Sequence, residues 1–130
     1  MNWIVSMIKP IMVVSGALTC TMLYAAVAPH AALRATFGPT ASLEGPLAEI
    51  IVRNWGALIA LTGAMLIYGA FNAASRPLVL AVASASKVTF IALVLWCGRE
   101  FLGAQAMVPV VGDSIMVVLF ASYLMATRRA

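Results

Sequence analysis

The sequence predicts an all-α integral membrane protein, a four-helix bundle that runs up-down-up-down with both termini on the same side. Two observations lead to this fold class. Of the 130 residues, 64% are hydrophobic and only 9% are charged, a composition far from that of soluble domains. The apolar residues form four long stretches, and a bilayer of about 30 Å requires about 20 apolar residues per helix. We therefore expect one membrane domain, residues 1-130, with no separate soluble domain.

The first predicted span covers about residues 4-28. Its apolar run from Ile11 to Ala28 follows Lys9 and could be mistaken for a cleaved export signal. That run exceeds the apolar core of about 7–15 residues found in such signals, so a retained helix is expected. Pro10 is expected to bend the first turns, because proline removes a backbone donor and clashes with the preceding turn.

The connection at residues 29-45 is expected on the outer side of the membrane. It contains His30, Arg34, Gly38 and Pro39 among other polar and helix-breaking residues. Such a composition indicates a loop, although a short interfacial helix could form within it. This connection is the longest in the chain, and the only one with room to act as a lid.

The remaining spans are predicted at about residues 46-72, 78-98 and 109-127. Pro46 suits the first position of a helix, where a missing backbone N–H costs nothing. The third span carries Lys87 as its one interior charge. The uncharged run from Ser114 is too short to cross alone, so the fourth helix is expected to start near Pro109. That start places Asp113 about one turn inside the helix, roughly 6 Å from its end.

The distribution of basic residues favours cytoplasmic termini. Four spans bring one set of basic residues to the side of the termini and another set to the opposite side. The first set is Lys9, Arg76, Arg128 and Arg129, and the second is Arg34, Arg53 and Arg99. The net charge of +4 is spread over these span ends and forms no basic block, which excludes nucleic acid as a partner.

Five charged residues are expected to converge at the outer end of the bundle: Glu49, Arg53, Arg99, Glu100 and Asp113. Arg99 is placed there because it continues the expected small-residue face of the third span, which consists of Ala85, Thr89, Ala92 and Trp96. Arginine grips carboxylates in a planar fork, so Arg53 is expected to pair with Glu49 or Asp113, and Arg99 with Asp113 or Glu100. Such pairs either clamp the helix ends together or bind an anionic or carbonyl-bearing head group. No spacing identifies a catalytic residue.

Lys87 is a separate candidate, because it lies about 13 Å inside the third span, near the centre of the membrane. Its helical angle is about 120° from that of Arg99, which sets it off the small-residue face. Snorkelling toward the cytoplasmic face, or a hydrogen bond to Thr62 or Ser15, is an equal alternative. Cys20, Cys97 and His30 lack metal-ligand spacing, so neither a metal nor a cofactor is predicted.

The segment Glu49-Ile50-Ile51-Val52-Arg53-Asn54-Trp55-Gly56, the Arg76-Pro77 turn, Gly98-Arg99 and Gly112-Asp113 resemble the DoxX-like superfamily of small bacterial four-helix membrane proteins. The resemblance covers about residues 43 to 125. It implies a left-handed four-helix bundle in the bacterial inner membrane, with Glu49, Arg53, Arg99 and Asp113 as the matching polar positions. Some relatives resemble accessory subunits of membrane oxidoreductases, and distant ones resemble sterol-handling bundles. Lys87 lies outside the pattern.

The function expected from these features is that of a non-enzymatic binding or accessory protein of the inner membrane. Its polar residues, with Lys87, would hold a membrane lipid or quinone-like molecule, a partner membrane subunit, or a second copy in a homo-oligomer. A small oligomeric transporter is the alternative, although the first span has no acidic residue. A membrane lipid isomerase is a further alternative that requires an acid or base at mid-membrane, where only Lys87 lies.

Overall fold

The computed structural model describes residues 2–103 and 105–129. The helices are α1 (Asn2–Cys20), α2 (Leu23–Val27), α3 (Pro29–Phe37), α4 (Pro46–Phe71), α5 (Arg76–Cys97), a 3-10 helix (Arg99–Phe101) and α6 (Met107–Arg128). No strand occurs among these residues. The all-helical fold class is therefore confirmed for the part of the chain that the structure describes.

Within the described residues, four segments are long and apolar enough to cross a membrane: Trp3–Val27, Pro46–Phe71, Arg76–Cys97 and Met107–Arg128. The shortest of them has 22 residues. At about 1.5 Å per residue such a helix reaches roughly 33 Å, which matches the hydrocarbon core of a bilayer. The first segment combines α1 and α2, and the others correspond to α4, α5 and α6.

The first segment is interrupted near its end and not at its proline. Helix α1 continues through Pro10. The break comes at Thr21 and Met22, whose backbone N–H groups donate to Leu18 and Thr19 three residues earlier, both at 3.2 Å. The tighter turn separates α2 from α1 and leads the chain into α3. Helix α3 begins with Pro29 and ends at Phe37, and it is followed by Gly38, whose φ of 107° favours glycine. The loop at residues 29-45 thus contains the short helix that its composition allowed.

Helices α1 and α4 pack with their backbones in direct contact. A Cβ atom added to Gly16 would lie 2.6 Å from the carbonyl oxygen of Gly63, and one added to Gly63 would lie 2.6 Å from that of Gly16. Further along the same pair, a Cβ atom on Gly56 would lie 2.7 Å from the carbonyl oxygen of Met22. Close approach through small residues is the usual way in which membrane helices associate.

One end of the bundle, which we term the packed end, holds the hydrophobic core. Its buried residues come from the first half of α1, the last part of α4, the first part of α5 and the last part of α6. They are Ile4, Ile8, Met12, Leu66, Ala70, Val79, Leu80, Ala83, Phe120 and Tyr123. Arg76 closes this end by donating to the carbonyl oxygens of Gly69 at 3.0 Å and Ala70 at 2.9 Å. All four long helices therefore meet at the packed end.

The close contact between α1 and α4 predicts that Gly63→Ala is destabilising. The added methyl group meets backbone atoms, which cannot move without separating the two helices. We expect the free energy of unfolding to fall by about 1–3 kcal/mol, the usual cost of overpacking. Reversible unfolding in mixed detergent micelles measures this change. Gly112→Ala is the control, because a Cβ atom there meets nothing within 4 Å. An equal effect of the two substitutions would contradict the proposed packing.

Candidate functional site

A cavity of about 530 Å³ lies between the four long helices at the end opposite the packed end. Its walls come from the last part of α1, the first half of α4, the second half of α5 and the first half of α6. Most lining side chains are apolar, among them Trp55, Ile59, Phe90 and Met116. A concave apolar site with a few polar groups is the usual form of a small-molecule binding site.

The main polar feature of the cavity wall is an ion pair between Lys87 of α5 and Asp113 of α6. The Nζ atom of Lys87 donates to Oδ1 of Asp113 at 2.7 Å. The two side chains are 8% and 20% exposed. Nζ also lies 3.4 Å from Oγ1 of Thr19 in α1, and that hydroxyl donates to the carbonyl oxygen of Ser15 at 2.7 Å. The pair thus connects three of the four long helices.

Pairing explains how these two charges can be buried. An isolated ion in a medium of low dielectric constant costs several kcal/mol, and a partner with good geometry offsets much of that cost. Charged residues within membrane-spanning helices usually face the interior of a bundle and mark a functional site. Lys87 and Asp113 meet this description, since both also line the cavity.

The environment of Lys87 differs from both alternatives drawn from the sequence. Its ammonium group donates hydrogen bonds to Asp113 and Thr19, and it donates to neither Thr62 nor Ser15. The expected small-residue face of α5 is also wrong, because Ala85, Thr89 and Ala92 are exposed and Trp96 is 85% exposed. Lys87 instead shares the buried face of α5 with Val79, Leu80, Ala83 and Val94.

Arg53 and Glu49 form the ion pair that their spacing predicts. Nε and Nη2 of Arg53 donate to Oε1 of Glu49 at 3.0 Å and 2.7 Å. Nη1 donates to the carbonyl oxygens of Ala26 and Val27, the latter at 3.3 Å. The last carbonyl groups of a helix have no partner within it, so Arg53 supplies one for α2. All three nitrogen atoms of the guanidinium group are used, which favours a clamp between α2 and α4 over a ligand site.

Arg99 does not join this pair. Helix α5 ends at Cys97, so Arg99 lies in the 3-10 helix and not on the helical face from which its position was extrapolated. Its Nε donates to the carbonyl oxygen of Leu95 at 2.7 Å, and the residue is exposed. Within residues 2–103 and 105–129 it pairs with neither Asp113 nor Glu100, so the expected pairing of Arg99 with one of these carboxylates is wrong.

Helix α3 covers the cavity. Ala35 and Thr36 belong to its lining. The ring of Phe37 lies 6.3 Å from that of Trp55 and 5.3 Å from that of Phe101, an arrangement that joins α3 to α4 and to the 3-10 helix. The side-chain amide of Gln105 faces two carbonyl oxygens of α3, so its NH₂ group must lie on that side. The NH₂ group donates to the carbonyl oxygens of Arg34 at 3.0 Å and Ala35 at 2.6 Å. The last turn of α3 is therefore held both by these hydrogen bonds and by the aromatic contacts of Phe37.

The sequence contained a signal for the ion pair that its interpretation missed. Counted from the observed ends of α5 at Cys97 and of α6 at Met107, Lys87 and Asp113 differ in depth by about four residues, or roughly 6 Å. A lysine side chain spans that offset, so the one interior charge of the third span had an acid within reach on the next helix. Asp113 was assigned to the arginines because it lies near a helix end.

The contrast between the two arginines leads to a prediction. Arg53→Gln removes charged hydrogen bonds to the end of α2, and we expect it to lower the free energy of unfolding by roughly 1 kcal/mol. Arg99→Gln removes one bond to a neighbouring turn and should change that energy by less than about 0.5 kcal/mol. Thermal unfolding in the same detergent compares the two variants. Equal effects would count against the clamp.

The Lys87–Asp113 pair calls for a double-mutant cycle. Asp113→Asn leaves a buried ammonium group unpaired, so the free energy of unfolding should fall by about 3–5 kcal/mol. Replacing both residues, as Lys87→Met with Asp113→Leu, removes both charges and should cost far less than the two single changes together. Reversible unfolding in mixed micelles of the single and double variants gives the coupling energy. Additive effects would refute the pair.

The chain matches no protein-family model, no curated protein and no solved structure. The DoxX-like resemblance therefore rests on the motif residues and stays a prediction. Of its four polar positions, the structure brings Glu49 and Arg53 together, leaves Arg99 exposed, and places Asp113 with Lys87.

Proposed function

We propose that this protein is a non-enzymatic membrane binding protein that takes a lipophilic ligand with a polar end from the bilayer. The observation that carries the proposal is the largely apolar cavity of about 530 Å³ with the buried Lys87–Asp113 pair in its wall. An apolar space beside a fixed polar group suits a lipid-like or quinone-like molecule, whose chain or ring fills the space while its polar end binds the pair. The sequence predicts a site of Glu49, Arg53, Arg99, Asp113 and Lys87. The proposal keeps Lys87 and Asp113 of these five.

The proposed setting is the bacterial inner membrane, with an up-down-up-down course and both termini in the cytoplasm. The basic residues near the ends of the four spans support this orientation through the positive-inside rule. The cavity and its cover α3 then face the outer side of the membrane. A ligand would be held in the outer half of the bilayer.

We further propose that the accessory role expected from the DoxX-like resemblance uses a different surface from the cavity. Arg99 and Glu100 are exposed beside Trp96, which is itself 85% exposed. Exposed charged and aromatic groups at the end of a span suit contact with a partner membrane subunit or a second copy. Arg53 is unsuited to that contact because its donors are already used within the chain.

A small oligomeric transporter is the second candidate, and the observation that favours it is the same ion pair. Buried carboxylates and amines inside a bundle can exchange partners or protons during transport. A lipid isomerase is the third, since Lys87 and Asp113 are an amine and a carboxylate on one cavity wall. Binding without reaction is preferred because each group already has the other as its partner at 2.7 Å.

The test of the binding function adds a side chain to the cavity at a position where a Cβ atom has room. Gly112 lines the cavity, and a Cβ atom there meets nothing within 4 Å, so Gly112→Leu places a side chain in open space. We expect lipid retained through purification in mild detergent, as measured by mass spectrometry, to fall by at least about tenfold, because a filled cavity no longer offers the buried surface that a ligand needs.

The matched control is Gly103→Leu, since a Cβ atom at Gly103 also meets nothing within 4 Å and the residue does not line the cavity. Retention unchanged by Gly112→Leu would contradict the binding site.

Flux of an ion or solute through proteoliposomes that is lost with Lys87→Met would instead establish the transporter. Formation of a rearranged lipid during incubation would establish the isomerase.

A further inference from the structure

We propose that the polar end of the ligand is uncharged and binds through a hydroxyl or carbonyl oxygen placed at the Lys87–Asp113 pair. This inference rests on the proposed binding function and specifies the chemistry of the ligand. The class it defines is a neutral oxygenated lipid, as distinct from lipids with an anionic or a cationic head group.

The first support is the charge balance of the cavity. Among the described residues that line it, Lys87 is the one basic side chain and Asp113 the one acidic side chain, and their charged atoms lie 2.7 Å apart. An anionic head that approached Lys87 would meet the carboxylate of Asp113, and a cationic head would meet the ammonium of Lys87. Neither charge gains a net attraction that offsets the loss of its own hydration.

The second support is the hydrogen-bonding capacity that the pair leaves unused. An ammonium group carries three donors, and Nζ of Lys87 contacts two acceptors within the described part of the chain, Asp113 and Thr19. The carboxylate of Asp113 accepts through Oδ1, and no described residue donates to its other oxygen. One donor and one acceptor remain at the same place. A hydroxyl group satisfies both, and a carbonyl oxygen satisfies the donor.

The third support is the position of the pair relative to the apolar walls. Trp55 and Ile59 of α4, Phe90 of α5 and Met116 of α6 line the same cavity. A ligand anchored at Lys87 and Asp113 therefore places its chain or ring against these side chains. A polar end of modest size at an apolar wall matches the shape of a neutral lipid.

Trp55 provides a fluorescent reporter inside the cavity. The chain has three tryptophans, and Trp3 and Trp96 are 58% and 85% exposed. The changes Trp3→Phe and Trp96→Phe leave Trp55 as the single emitter. A bromine atom on a lipid chain quenches tryptophan on contact, so quenching of Trp55 reports entry of the chain into the cavity.

The experiment compares four probes that share one mid-chain brominated alkyl chain in the same detergent. One probe is a monoacylglycerol, one an alkyl sulfonate, one an alkyl trimethylammonium and one a plain bromoalkane. We expect the monoacylglycerol to half-quench Trp55 at a concentration at least about tenfold lower than either charged probe, because the site has no net charge. It should also act at a lower concentration than the bromoalkane, which makes no hydrogen bonds.

Substitutions at the pair should change this order in a defined way. Asp113→Asn leaves Lys87 unbalanced and should shift the preference toward the sulfonate, whereas Lys87→Gln should shift it toward the trimethylammonium. Where a single variant fails to fold, the double variant Lys87→Met with Asp113→Leu remains informative. In this variant the monoacylglycerol and the bromoalkane should quench Trp55 at the same concentration, because the double change keeps the cavity and removes the hydrogen bonds.

The outcomes separate this inference from the function on which it rests. Quenching by all four probes at one concentration, or a preference for a charged probe in the unsubstituted pair, overturns the uncharged head group and leaves the cavity as a binding site. Quenching by no probe, or quenching that Gly112→Leu does not reduce, overturns the binding function itself. Preference for the monoacylglycerol that the double variant abolishes supports both.

Discussion

The ion pair between Lys87 and Asp113 is the constraint around which the open half of this bundle is arranged. Two opposite charges in an apolar interior must stay close together, because separating them exposes each to the full cost of burial. The pair therefore fixes the rotation of α5 relative to α6 and brings Thr19 of α1 into the same contact. The cavity beside it keeps a polar anchor without any net charge.

The two ends of the bundle differ in how their interior is filled. At the packed end, large apolar side chains from all four long helices fill the interior, and Arg76 binds the carbonyl groups at the end of α4. At the other end the helices enclose space, and α3 lies over it with aromatic contacts from Phe37. The hydrophobic core and the proposed binding site thus lie at opposite ends of one small domain. The contact between Gly16 and Gly63 keeps α1 and α4 together between these ends.

Features that depend on local sequence could be predicted, and features that depend on helix rotation could not. Composition and length were sufficient for an all-helical chain with four helices able to cross a membrane, because each span needs only a run of apolar residues. The pair of Glu49 and Arg53 follows from the spacing of four residues on one helix. The buried face of α5 was misjudged, because an apolar helix in a membrane protein has apolar residues on both its lipid-facing and its buried sides. Without that face, the cavity beside Lys87 could not be predicted, and the similar depth of Lys87 and Asp113 was the one sign of their pairing.

The packed end also sets how the cavity can change size. The helices pack closely at the packed end and enclose space at the other end. A small tilt of one helix at the packed end therefore becomes a larger displacement at the cavity. Over a helix length of about 15 Å, a tilt of about 10° moves the far end by roughly 3 Å. A movement of that size is comparable to the width of an alkyl chain. A tilt of that size would widen the cavity where the Lys87–Asp113 pair does not join the helices, while the side chains around Phe120 stay in place.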